Sequence, residues 1–379
     1  MASSPPEVVV VGAGIIGSFT AYRLAGEGVS VTLIERDDPG GMASRAAAGN
    51  VQAWPFVYGR LEAELGSESL ALWRSALPAI KTASGIDTLD HEVPFLYPAF
   101  DEVEVDDLRA RAGLAADAGL HVKWIDGSEA RDMEPRLSPR VVGAVLHQDF
   151  LQLDAHSAVT ALVEAAKARG AQVIRAEAAG LEIARGVSNE ASMVTGVRLR
   201  DGAVLPCSAV ILAMGAWMGV AVPQWLGLPF PTLPCPLQKL NIRIRGRPLA
   251  CGIRGPGINI VSHMDGLNHA GSRHDDTSGF EAIPTAEGRR WILERVGAAL
   301  PGLEYDVVEA QAGCAAKIPD HVPIIGPLDS CEGVYVAATD DDGFHLSAVI
   351  SHILTELVVK GKTHPMLLKI SPRARLKSS

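Results

Sequence analysis

Cysteine is scarce and unpatterned. Five occur, Cys207, Cys235, Cys251, Cys314 and Cys331, with no CxxC pair and no His/Cys cluster at zinc-ligand spacing. This gives no sequence basis for a metal site or a disulfide scaffold. An odd number of thiols in a chain of 379 residues points to a reducing compartment. Basic residues are outnumbered, with 34 Lys+Arg against 44 Asp+Glu and a net charge of −10. The only basic tail, Arg373, Arg375 and Lys377, is short and reads as a solvated terminus, so nucleic acid is not an expected partner. No apolar run approaches the ~18 residues of a membrane span. The opening MASSPPE lacks a basic n-region, and the VVVV after it is too short for a signal h-region. A cytoplasmic protein is expected. Hydrophobic residues make up 47%, enough for a sizeable core in two domains or one large α/β domain with an insertion.

What is present begins at residue 8. VVVVGAGIIGSFTAYRLAGEGVSVTLIE reads as a buried strand, a GxGxxG turn, a helix to about Glu27, and a second strand closed by Glu35. Gly12 permits the tight turn, Gly14 a close approach to a pyrophosphate, and Gly17 close helix–strand packing. The helix start offers free N–H groups and a favourable dipole to phosphate. Glu35 would accept from a ribose hydroxyl, which disfavours NADP. The expected dinucleotide contacts are Gly12, Ala13, Gly14, Ile15, Ile16 and Gly17, with Glu35 and Arg36. After them a doubly wound NAD domain would proceed to another βαβ unit. Instead Gly40–Asn50 is a loop of small residues, able to lie against a flat ring system.

That loop, ASRAAAGN, resembles the flavin-contacting loop of the D-amino acid oxidase superfamily, which includes glycine oxidase, sarcosine oxidase and D-amino acid dehydrogenases. Three later segments are similar to that family in order: QLDAHSAVTALVEAAKARGAQVI (152–174), SAVILAMGAW (208–217), and IPDHVPIIGP (318–327) running into GVYVAATDDDGFHLSAVISHILTELV. The ending KISPRARL also resembles the family's close. The resemblance covers nearly the whole chain and implies FAD. Its FAD contacts would be Ser44, Arg45, Ala48, Gly49, Asn50, Val173 on the adenine side, Ala213, Gly215 and the backbone of Gly343, Phe344 and His345. It implies an α/β fold, with a Rossmann-like FAD-binding domain (1–88, 148–222, 310–379) and a discontinuous antiparallel-sheet substrate domain (89–147, 223–309). Asp154 and Thr285 are candidate N-caps, and Gly170 a candidate helix stop.

Two substrate-binding arginines usual in the family are missing here: His263 stands at one place, and GCAAKIPD replaces the other. Arg254 and Arg273 remain as carboxylate ligands. These departures favour a modified amino acid, an N-substituted glycine or an amine. His263 and His269, on one strand region, are candidates to face the flavin, and a cation there would assist oxygen reduction. Asp340, Asp341 and Asp342 precede the last long helix. One or two would cap it. Three adjacent like charges fit that role poorly, so a cationic substrate, or a substrate amine held near the acids, is the sharper reading, with Asp341 a candidate catalytic group and Asp342 a candidate substrate ligand. Cys314 reads as a buried thiol rather than a flavin attachment point.

The implied reaction is hydride transfer from the substrate C–H to flavin N5, giving an imine that hydrolyses. The cofactor carries the hard chemistry. Oxygen or an electron carrier then accepts the electrons, and homo- and hetero-oligomers remain open. Oxidation of a 2-hydroxy acid, a subunit of a multi-protein dehydrogenase, and an NAD-dependent dehydrogenase are the competing readings.

Overall fold

The computed structural model describes residues 7–184, 192–255, 258–275 and 278–376, so Lys377 of the basic tail lies outside them. One sheet has six strands in the order Ile324–Pro327, Val334–Ala338, Ala209–Leu212, Glu7–Val11, Ser30–Glu35 and Gln172–Arg175. All its pairings are parallel except the one that joins Ile324–Pro327 to its neighbour. The central strand is a run of valines because both its faces are covered. The first helix, Ile15–Gly26, packs against Ala155–Ala168 and Gly343–Lys360. Phe19 from that helix meets Trp73 edge to face at 4.6 Å, and both are fully buried.

The expected caps form. Asp154 accepts from Ser157 N at 2.7 Å, and Thr285 Oγ1 from Gly288 N at 3.0 Å. Gly170 takes φ +95° just past the helix it ends. The last long helix buries Ser347, Ser351 and Thr355 without penalty, because each hydroxyl bonds a carbonyl of its own helix.

A second, eight-stranded sheet runs Tyr305–Lys317, Leu233–Ile244, Leu267–His274, Ile258–Ser262, Gly252–Gly255, Phe95–Ala99, Gly143–His147 and Val122–Asp126. It is antiparallel apart from the pairing of Gly252–Gly255 with Phe95–Ala99. The expected boundary at 309/310 falls inside one of these strands, Tyr305–Lys317. That strand pairs with Leu233–Ile244 along its whole length, with one register shift at Asn241/Ile242, and its Cys314, Ala315 and Ala316 reach the cleft.

Candidate active site

The glycine turn is built by close packing. Gly12 has φ +101°, and a Cβ there would lie 2.5 Å from the carbonyl oxygen of Ala213. A Cβ on Gly17 would overlap the Gly12 carbonyl. Gly14 differs. Only Ser44 Oγ lies near its missing Cβ, at 3.4 Å, so the space before it is open. Ser44 Oγ also accepts from Ile15 N at 3.0 Å. Glu35 Oε2 accepts from Ala13 N at 2.8 Å, which sets the acid beside the turn.

These groups border a cleft of about 530 Å³. The opposite wall is the small-residue loop, including Ala43, Ser44, Ala46, Ala47, Ala48 and Asn50. Ala213, Gly215 and Trp217 border it too, with Arg36 stacked on the Trp217 ring at 4.1 Å. At its far end stand Gly343, Phe344 and His345, the first turn of the last long helix. No side chain caps that helix, so its leading N–H groups carry no carboxylate hydrogen bond. An open glycine cradle, an acid beside it, a wall of alanines and an uncapped helix start together suit FAD.

A second cavity of about 500 Å³ adjoins the first. The two share Arg254, Ala316, Asp340, Asp341 and His345. Arg254 rises from strand Gly252–Gly255, and its guanidinium lies 3.9 Å from the Phe56 ring centroid. Among the described residues it has no carboxylate partner. His345 Nδ1 lies 2.6 Å from the carbonyl oxygen of Asn50, and burial lowers its pKa to about 4, with Arg254 acting in the same direction.

The three aspartates leave their turn in three directions, and none caps the helix through its side chain. Asp340 accepts from Ile318 N at 2.7 Å and meets His321 Nδ1 at 2.8 Å. Asp341 pairs with His274 at 3.3 Å and borders both cavities. Asp342 accepts from Tyr58 Oη at 2.6 Å and faces the second cavity. The capping expectation is thereby corrected.

Other expectations also shift. Arg273 pairs with Glu287 at 2.8 Å and borders neither cavity, which leaves Arg254 as the arginine at the site. His263 sits in the turn after Ile258–Ser262 rather than on the strand of His269. Neither histidine borders either of these two cavities. His269 is fully buried, and that burial holds its pKa well below the usual value, with Lys239, His263 and Arg254 adding to the effect. It is therefore neutral at pH 7 and supplies no cation. Val173 lies mid-strand opposite Leu33, and the cleft is reached instead by Ala176–Ala179. Arg45 is exposed, and Gly49 (φ +78°) is pressed against the Leu153 carbonyl; both lie off the cleft. Ala13 and Gly17 support the turn from behind.

Sequence reasoning missed Phe56, Tyr58 and Glu62. Glu62 sits in the first turn of helix Arg60–Ser84, where an acid reads as ordinary dipole compensation. It also missed Lys239, buried with Nζ 3.1 Å from the Ala47 carbonyl and lowered by burial to about 8.

Residues 7–357 match the family model described as DAO, FAD dependent oxidoreductase. Glycine oxidase of Pseudomonas putida is 27% identical over 332 residues, covering 87% of this chain and 88% of the relative. Glycine oxidase of Bacillus subtilis is 27% identical over 357 residues, covering 93% of each chain. The crystal structure of glycine oxidase from Geobacillus kaustophilus superposes with TM-score 0.89 at 25% identity, covering 99% of both chains.

Proposed function

The chain belongs to the FAD-dependent oxidoreductase family, and from that premise we propose that it oxidises the C–N bond of an amino acid, an N-substituted glycine or a related amine. One observation carries the reading: Arg254, with no acid partner among the described residues, stands where the cofactor cleft meets the second cavity. A guanidinium so placed offers a bidentate fork to a substrate carboxylate. The substrate body then occupies the second cavity against Trp54, Phe56 and Tyr97, and its α-carbon lies toward the cleft.

The glycine turn and Glu35 would hold the nucleotide half of FAD. The alanine loop and the first turn of helix Gly343–Lys360 would hold the ring. FAD, when bound, supplies the hydride acceptor. The helix start contributes oriented N–H dipoles where negative charge develops, with no reorganisation during reaction. His345, neutral and tied to the Asn50 carbonyl, fixes that turn against the loop. Asp341, bordering both cavities, is the acid placed to receive the substrate amine's proton. All five cysteines are buried thiols, which supports a reducing, cytoplasmic location.

The test is anaerobic titration of the flavin-loaded protein with amino acids, N-methylglycine, simple amines and 2-hydroxy acids. Bleaching of the flavin band by amines or amino acids is expected. Bleaching by 2-hydroxy acids alone would overturn the reading.

A further inference from the structure

The second cavity is rich in carboxylates, and their partners divide them into two groups. Asp107 is paired with Arg111 at 2.8 Å. Glu104 accepts from Phe100 N at 2.7 Å. Asp340 and Asp341 are matched to His321 and His274. Glu62 and Asp342 have no such partner: among the described residues neither forms an ion pair. Glu62 Oε2 accepts from Val57 N at 2.8 Å and Tyr58 N at 3.2 Å. Asp342 accepts from the Tyr58 hydroxyl, while its Oδ1 is buried with no hydrogen-bond partner. Tyr58 thus ties both carboxylates into one group, through its N–H and its hydroxyl.

Both acids are more than nine-tenths buried, at 7% and 8% exposure. Burying carboxylates without an ion pair is costly even with the charge of Arg254 acting on Glu62 from a distance, and a buried acceptor without a donor adds to that cost. Burial pushes Asp342 well above the ordinary carboxylate range against the pull of the Tyr58 hydrogen bond, and Asp341, Glu62 and Asp340 push it further. Burial likewise pushes Glu62 up to about 7. Aromatic faces complete the wall: Trp54 stacks on Tyr97 at 4.4 Å, and Phe56 lies 6.3 Å from Tyr97. Acids and aromatic faces in one desolvated cavity form the recognition chemistry of an organic cation.

We propose that the second cavity selects substrates bearing a second fixed positive charge, an ammonium or guanidinium remote from the reacting amine, held by Glu62 and Asp342 while Arg254 takes the carboxylate. The inference rests on the second cavity being the substrate's.

The experiment has two readouts. The first is calorimetric binding of 6-aminohexanoate against hexanoate to the flavin-loaded protein. Each carries a carboxylate, and only one carries the distal ammonium. The second is anaerobic flavin bleaching by lysine against norleucine and by arginine against citrulline, in both enantiomers. The cationic member is expected to bind at least tenfold tighter and to bleach with at least tenfold higher kcat/KM. That ratio should fall toward unity in Glu62→Gln and Asp342→Asn. Tyr58→Phe, which removes only the hydroxyl, serves as a third variant, and the wild-type ratios stand even if a variant does not fold. Equal binding of the two acids, or a neutral substrate preferred over its cationic isostere, would overturn the proposal while leaving C–N oxidation intact. A binding advantage for 6-aminohexanoate with no bleaching by any amine would sustain the cation site and sink the proposed reaction.

Discussion

Replacing Glu62 with glutamine should stabilise the substrate-free protein, and only at neutral and alkaline pH. The carboxyl is ordinary near 4.5 when unfolded and is pushed up to about 7 in the fold, by burial first, against the N–H groups of Val57 and Tyr58 and the charge of Arg254. Below pH 4.5 both states hold the proton, and the acid costs nothing. Between about 4.5 and 7 the unfolded chain releases it first, so native stability falls as pH rises. Above 7 the loss is complete at roughly 3 kcal/mol. Glutamine carries no proton to lose, and its carbonyl oxygen can still accept from both N–H groups, since both bond Oε2. The advantage of Glu62→Gln over wild type should therefore grow by about 2.5 kcal/mol from pH 5 to pH 8. An unfolding entropy of roughly 0.8 kcal/mol per kelvin for a chain this long converts that into a thermal-midpoint gap about 3 °C wider at pH 8. The assay is differential scanning of both flavin-loaded proteins across that range. A gap that does not change with pH, or a variant that loses ground at pH 8, would show that Glu62 is not a buried uncompensated charge.

Arg254→Met should raise the half-saturating concentration of a carboxylate substrate by about a hundredfold, as removing one partner of a desolvated charge pair costs ~2–5 kcal/mol; steady-state kinetics on an amino acid and on its decarboxylated amine would check it, with the amine much less affected. Gly12→Ala should yield protein without bound flavin, because the added methyl meets the Ala213 carbonyl at 2.5 Å in a left-handed backbone; the ratio of visible to ultraviolet absorbance reads this directly. Acid precipitation should leave the flavin in the supernatant. Cys314 is 1% exposed, and burial raises its pKa, so it lacks the thiolate character of an attachment point. Cys314→Ala should retain full flavin content, and yellow colour in the pellet would contradict this.

Local chemistry was legible in the sequence, and tertiary partnership was not. The fingerprint could be read because strand, glycines, helix and acid lie within one stretch of chain, although the Ala213 carbonyl that bars a side chain on Gly12 comes from a distant strand end. The caps at Asp154 and Thr285 were readable for the same reason. Tyr58 and Asp342 are 284 positions apart, and no spacing rule joins them. His263 and His269 looked like a pair on one strand, but a turn separates them and both point into protein. Arg273 seemed as available as Arg254 until Glu287, on the next helix, claimed it.

The aspartates show why position alone misleads. Acids ahead of a helix suggest capping, because free N–H groups attract them. A helix whose first turn faces a cofactor cleft is served badly by that arrangement, since a capping carboxylate would occupy the same N–H groups and set a fixed negative charge where reduction places another. Here the three side chains turn away to Ile318 and His321, to His274, and to Tyr58. The helix start is left uncapped toward the cleft, Asp342 is delivered to its neighbour, and Asp340 and Asp341 stand where the two cavities meet. One turn thus presents dipoles to one cavity and the Asp342 carboxylate to the other, with Asp340 and Asp341 on the border between them. That arrangement sets anion stabilisation and cation recognition side by side within four consecutive residues, Asp340 to Gly343.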